Sequence, residues 1–138
     1  MRTGSSGDQI TKAAKPYSAE TLKKIQIQYI NSLKKDGTWQ LNLILSNNSN
    51  ENISARSESD TPLRLSWRFL DVNGTPRGGW DNRKDLTRDI RANSKSDATI
   101  FFEENVCKNG ESLQLAFVEE NLFWSFDIGV PVINIPCE

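Results

Sequence analysis

The run Trp80-Asp81-Asn82-Arg83 sets a flat apolar ring beside a carboxylate, an amide and a guanidinium. Sugars present apolar CH faces that stack on aromatic rings, and hydroxyls that suit planar polar groups, so this mixture fits a saccharide. Arg88 and Glu120 extend the set, and Arg64, Arg68 and Arg91 lie nearby in sequence. Arginine also pairs with a sugar-acid carboxylate or a phosphate through two parallel hydrogen bonds, so an anionic ligand fits the arginine-rich middle segment. The plainer alternative makes Arg64 and Arg68 an ordinary outer sheet face and Asp81 with Arg83 a surface ion pair.

Catalytic chemistry finds little support. The chain has no histidine, which removes imidazole bases, His-dependent triads and His-containing zinc sites. The carboxylate pairs Glu103-Glu104 and Glu119-Glu120 are adjacent in sequence, and strand neighbours point to opposite faces, so neither forms a glycosidase couple directly. Gly74, Gly78 and Gly79 read as turn formers and not as a phosphate loop. Cys107 and Cys137 make neither a disulfide framework nor a metal site, and a bridge between them stays open. No enzyme, cofactor or metal is expected.

The elements that must position these residues follow a period of two. Ile25, Ile27 and Tyr29 alternate with polar neighbours, Lys35-Asp36-Gly37 supplies a turn, and Trp39, Leu41, Leu43 and Leu45 share one face. Residues 47–62 form a polar loop. Leu63, Leu65, Trp67 and Phe69 make another inward face before a turn at Asp71-Val72-Asn73-Gly74. The return segment 75–80 carries Pro76, Gly78 and Gly79 and reads as an edge, bulge or loop. Later strands are expected over 98–103, 112–119, 122–128 and 130–135. Trp39, Trp67 and Trp124 fall on core faces, which leaves Trp80 as the stacking candidate. The pattern predicts an all-β antiparallel β-sandwich, immunoglobulin-like or jelly-roll-like, of six to eight strands over residues 21–138. Residues 1–20, with Gly4-Ser5-Ser6-Gly7, read as a flexible linker or remnant that reaches at most a short helical turn capped by Ser18.

A length of 138 residues suits one domain, and a net charge of −1 without a basic block argues against nucleic acid or a membrane surface as partner. No apolar stretch approaches a membrane span, and the polar N-terminus lacks a signal-peptide core, so a cytoplasmic setting without membrane insertion is expected.

Three segments carry a resemblance: Pro62-Leu-Arg-Leu-Ser-Trp-Arg-Phe-Leu-Asp-Val-Asn-Gly74, Trp80-Asp-Asn-Arg83 and Phe117-Val-Glu-Glu-Asn-Leu-Phe-Trp124. In that order they resemble an accessory β-sandwich of bacterial surface-polysaccharide assembly proteins, found beside glycosyltransferases and in O-antigen ABC-transporter ATPases. Arg64, Leu65, Ser66, Arg68, Leu70, Asp71 and Gly74 match its first element, Asp81 and Arg83 its second, and Val118, Glu120 and Trp124 its last. Lys84 stands in place of a threonine, Ala92-Asn93-Ser94 in place of Ala-Pro-Gly, Asn121 in place of a glycine and Ser125 in place of a phenylalanine. The resemblance implies a non-catalytic carbohydrate-binding module that holds an O-antigen polysaccharide, at its non-reducing terminal residue, for a covalently linked ATPase or glycosyltransferase domain. The ligand-binding residues expected are Trp80, Asp81, Asn82, Arg83, Arg88 and Glu120. The alternatives are a structural β-sandwich that forms homodimers through strand edges, and a small carbohydrate-active enzyme.

Overall fold

The computed structural model describes residues 9–137. Ten strands occur among them, more than the six to eight expected, because β1 (Lys12–Ala13), β4 (Arg56–Ser57), β6 (Lys84–Asp85) and β9 (Phe123–Trp124) are too short to leave a period in sequence. The longer strands are β2 (Ile25–Lys35), β3 (Thr38–Asn47), β5 (Leu63–Leu70), β7 (Ser94–Glu103), β8 (Ser112–Glu119) and β10 (Ile133–Pro136). They form an antiparallel sandwich of a three-stranded sheet, β2-β3-β7, and a five-stranded sheet ordered β10-β8-β5-β6 with β9 also paired to β8.

Local chemistry explains the longest hairpin. Asp36 and Gly37 both hold positive φ, at 54° and 81°, as a two-residue connection between right-twisted strands requires. In the three-stranded sheet Trp39 lies opposite Phe102, Leu41 opposite Ile100 and Leu43 opposite Ala98, so one face is apolar along its length. The other sheet answers with Leu63, Leu65, Trp67 and Phe69 of β5 and Leu113, Leu115 and Phe117 of β8. Phe102 joins the layers, with ring centres 5.1 Å from Trp39, 5.4 Å from Trp67 and 6.0 Å from Phe69. These tilted and edge-on contacts suit the positive edges and negative faces of the rings.

The N-terminal expectation changes in part. Residues 1–8 lie outside the described residues, but from Gln9 onward the chain is strapped to the sandwich rather than hanging free. Strand β1 pairs in parallel with β4, and Asp89, nearly buried, accepts from Thr11 N at 3.0 Å, Thr11 Oγ1 at 2.7 Å and Ala55 N at 2.7 Å. Buried backbone groups need partners, and one carboxylate satisfies two of them here. The short helix α1 (Ala19–Leu22) follows, with the Ser18 side chain accepting from Thr21 N at 3.2 Å and Leu22 buried. Cys107 and Cys137 are disulfide-bonded with Cα atoms 5.5 Å apart, which ties the chain end to the loop after β7.

Candidate functional site

The site lies on the outer face of the five-stranded sheet. In β5 and β8 the outward row pairs Arg64 with Val118, Ser66 with Ala116 and Arg68 with Gln114. Alternation alone would expose this row, yet Ser66, Ala116 and Val118 are buried. Two excursions cover them: the segment 71–83 after β5, and the segment 120–128 after β8.

The first excursion starts at a turn that Asp71 builds. Its Oδ1 accepts from Asn73 N at 2.9 Å and Thr75 N at 3.0 Å, and its carbonyl accepts from Gly74 N at 2.9 Å. The return segment 75–80, read from sequence as an edge, bulge or loop, makes one bridge between Pro76 and Leu70, since Pro76 has no N–H to extend a ladder. The chain then crosses the sheet, and Asn82 donates to the Trp67 carbonyl at 3.1 Å. The second excursion turns at Asn121, whose φ of 66° lies in the left-handed region that asparagine tolerates. After it, β9 pairs Trp124 with Val118, which sets Trp124 on the outer face. That corrects the core placement read from sequence. The expected strand over 122–128 becomes β9 and a 3-10 helix, Ser125–Ile128.

Trp80, Trp124 and Phe126 meet where the excursions converge. Their ring centres lie 5.8 Å apart for Trp80 and Trp124, 5.4 Å for Trp80 and Phe126, and 5.5 Å for Trp124 and Phe126, the last pair stacked at 17°. Arg68 sits over Trp80 at 4.9 Å and Arg83 over Trp124 at 4.9 Å. Such contacts are worth about 0.5–1 kcal/mol each at exposed sites. Both tryptophans are half-buried, and Phe126 remains 39% exposed.

Arg83 joins this aromatic trio to a polar depression. Its Nε donates to Glu120 Oε2 at 2.6 Å, and its Nη1 donates to the Trp80 carbonyl at 2.7 Å, the Asn82 carbonyl at 3.1 Å and Ser66 Oγ at 3.2 Å. Glu120 Oε2 also receives Arg64 Nη1 at 3.4 Å, while Arg64 Nε donates to Asp85 Oδ1 at 2.7 Å. Hydrogen bonding to Asp85, ahead of the contribution from Glu120, holds the Arg64 guanidinium above its ordinary value. The depression measures about 410 Å³ and is lined by Asp60, Pro62, Arg64, Asp81, Arg83, Glu120 and Asn121.

Five of the six residues expected from sequence therefore gather. Trp80 and Asn82 belong to the covering excursion, while Asp81, Arg83 and Glu120 line the depression. Arg88 does not join them. It pairs with Asp97 of β7 and lines a separate depression of about 380 Å³ with Asp89, Arg91 and Lys95. Sequence reasoning missed the roles of Trp124, Phe126 and Asp60. Only the pairing of β9 with β8 could have revealed Trp124, because a two-residue strand carries no alternation of its own.

Glu119, next to Glu120, faces the core. It pairs with Leu63, is fully buried, and accepts from Tyr17 N at 3.0 Å through Oε2. Its Oε1 has no hydrogen-bond partner among the described residues. Burial pushes its carboxyl up from 4.5 to about 7, against the lowering effect of the Tyr17 hydrogen bond. The two glutamates thus point to opposite sides of the sheet, as strand geometry requires, and form no acid/base couple.

No family model and no curated protein matches the chain. Among solved structures it is similar to a DUF1425 family member from Shewanella sp. pv-4, at 13% identity over 66% of this chain and 75% of that one, with a TM-score of 0.39. It is also similar to the E. coli curli protein CsgC, at 10% identity over 72% and 92% of the two chains with a TM-score of 0.35. A third likeness is to the Northeast Structural Genomics Consortium target SoR45, at 12% identity over 83% and 79% with a TM-score of 0.33.

Proposed function

We propose that this chain is a non-catalytic carbohydrate-binding module whose ligand lies across the outer face of the five-stranded sheet. The observation that carries the reading is Arg83, which holds a part-exposed aromatic trio on one side and a polar depression on the other. A sugar ring seeks that juxtaposition, with an apolar surface for its CH face beside acceptors and donors for its hydroxyls. The resemblance of residues 62–126 to surface-polysaccharide assembly modules supports a bacterial O-antigen chain as the ligand, within a longer protein bearing an ATPase or glycosyltransferase domain. The Cys107–Cys137 bridge favours an oxidising compartment and so weighs against the cytoplasmic setting, and with it against the linked ATPase domain, which needs cytoplasmic ATP.

Titration with O-polysaccharide fragments, followed by tryptophan emission and calorimetry, is expected to give saturable binding. Arg83→Ala should abolish it while leaving the far-ultraviolet circular dichroism unchanged. Full binding by Arg83→Ala would move the ligand elsewhere on the molecule.

A second reading has its own observation. Leu33 and Phe101, 55% and 64% exposed, both lie level with Gln40 on the outer face of the three-stranded sheet. This apolar pair would favour a structural, self-associating domain, and a concentration-dependent mass in sedimentation without glycan binding would establish it.

A further inference from the structure

We infer that the depression beside Arg83 selects a sugar bearing an ammonium group, an amino sugar, over one bearing a carboxylate. This rests on the carbohydrate-binding reading and names the class of residue bound. Arginine count in the sequence points the other way, towards an anionic ligand, so the inference depends on where the arginine charges are spent.

Both guanidiniums that reach the depression are already engaged. Arg83 and Arg64 converge on the same oxygen of Glu120, and Arg64 also holds Asp85. A sugar carboxylate entering here would have to displace Glu120 or sit beside it, and like charges at close range repel. Three carboxylates line the depression against two guanidiniums. Among the described residues, the carboxylates of Asp60 and Asp81 make no hydrogen bond or ion pair, so their acceptor capacity is unspent. Asp60 is held at the rim in the left-handed region, with φ 64°, where its carbonyl accepts from Asn121 Nδ2 at 2.9 Å. Asp81 leans back over Gly79, with its Oδ2 3.3 Å from the point a Cβ there would occupy.

These carboxylates do not form a cation cage. Among the described residues no three acidic groups are gathered as a metal ion would need. They share the depression with Arg64 and Arg83, and the aromatic trio beyond Arg83 supplies an apolar surface that a bare cation does not use. An ammonium gives three donors and a charge, and charge-assisted hydrogen bonds are about twice as strong as neutral ones.

The test compares three tetrasaccharide probes of matched length: glucosamine, N-acetylglucosamine and galacturonate oligomers, titrated by calorimetry at about pH 6, low enough to keep much of the sugar amine protonated. Glucosamine oligomers are expected to bind about fivefold or more tighter than the N-acetylated ones, and galacturonate weakest, with the preference shrinking as salt is raised. The double variant Asp60→Asn/Asp81→Asn should cost the glucosamine oligomer that same factor. Equal binding of all three, tighter binding of galacturonate, or an unchanged preference in the double variant would overturn the charge assignment and leave the glycan reading standing. Failure of all three to bind while O-polysaccharide fragments still bind would overturn this inference alone, and failure of the O-polysaccharide fragments as well, with circular dichroism unchanged, would overturn the glycan reading too.

Discussion

The outer faces of the two sheets start from similar strands and end differently. On the three-stranded sheet the outward row stays open, so that Lys35, Thr38 and Glu103 lie level with one another while Leu33 and Phe101 stand in solvent. On the five-stranded sheet two connections fold back over the outward row, burying Ser66, Ala116 and Val118 and leaving arginines and aromatic rings at the surface. The difference lies in the connections. β2 and β3 are joined by two residues, Asp36 and Gly37, which leaves no chain to cover anything, whereas β5 is followed by a long Pro/Gly-bearing segment. A covered outer face holds side chains in fixed positions, which a binding site needs and an open face does not provide.

Several substitutions would break or sharpen that contrast. The largest effect should come from the bridge that ties the chain end to the loop after β7. Opening Cys107–Cys137, by Cys107→Ala/Cys137→Ala, releases a loop of separation 30 and should cost about 3–4 kcal/mol by the chain-entropy estimate, read as a shifted urea midpoint. An unchanged midpoint would mean that the bridge constrains nothing in the unfolded chain.

Trp124→Ala should come next, at about 2–3 kcal/mol, because it removes a half-buried ring that lies level with the buried Val118. The corresponding change on the open face, Phe101→Thr, should stay within about 0.5 kcal/mol. Thermal unfolding of the pair measures the contrast directly, and equal losses would show that both faces are structurally committed.

Glu119 supplies a pH signature beneath the covered face. Its folded carboxyl stands at about 7 against 4.5 in the open chain, so between those values the folded state binds more protons than the unfolded one. Its stabilising contribution is therefore complete below about pH 4.5 and is lost as pH rises towards 7. Glu119→Gln should flatten that segment of the stability profile, recovering at most about 3 kcal/mol at pH 8, less the cost of an amide N–H2 left without a partner. Denaturant midpoints across that range decide it, and identical profiles would place the titration elsewhere.

On the covered face Arg83→Lys should give the smallest change in stability, about 1 kcal/mol, because a lysine keeps the charge near Glu120 but cannot also reach the Trp80 and Asn82 carbonyls. The expected readout is a changed tryptophan emission with little change in melting temperature. A large fall in melting temperature would make Arg83 a structural keystone of the cover.

Alternation in the sequence determined the long strands and the core row from Trp39 to Leu45, because burial on one face and water on the other leaves a period of two. It also determined the hairpin turn at Asp36-Gly37, where backbone conformation restricts residue type, and the chemical character of the Trp80–Arg83 segment. The tertiary structure decided what that segment touches. Trp124 reached the outer face through a two-residue pairing with β8, and Arg83 found Glu120 across 37 residues of chain. Arg88, five residues beyond Arg83, turned instead towards Asp97 of the other sheet. Residues 9–17 became part of the fold through Asp89 and Glu119, both distant in sequence. Periodicity reports which side of a strand is dry, but not which connection will fold across it, since that follows from non-local hydrogen bonds that leave no local pattern. The same physics separates the count of arginines, visible in the sequence, from the charge they leave available, which depends on the carboxylates they meet.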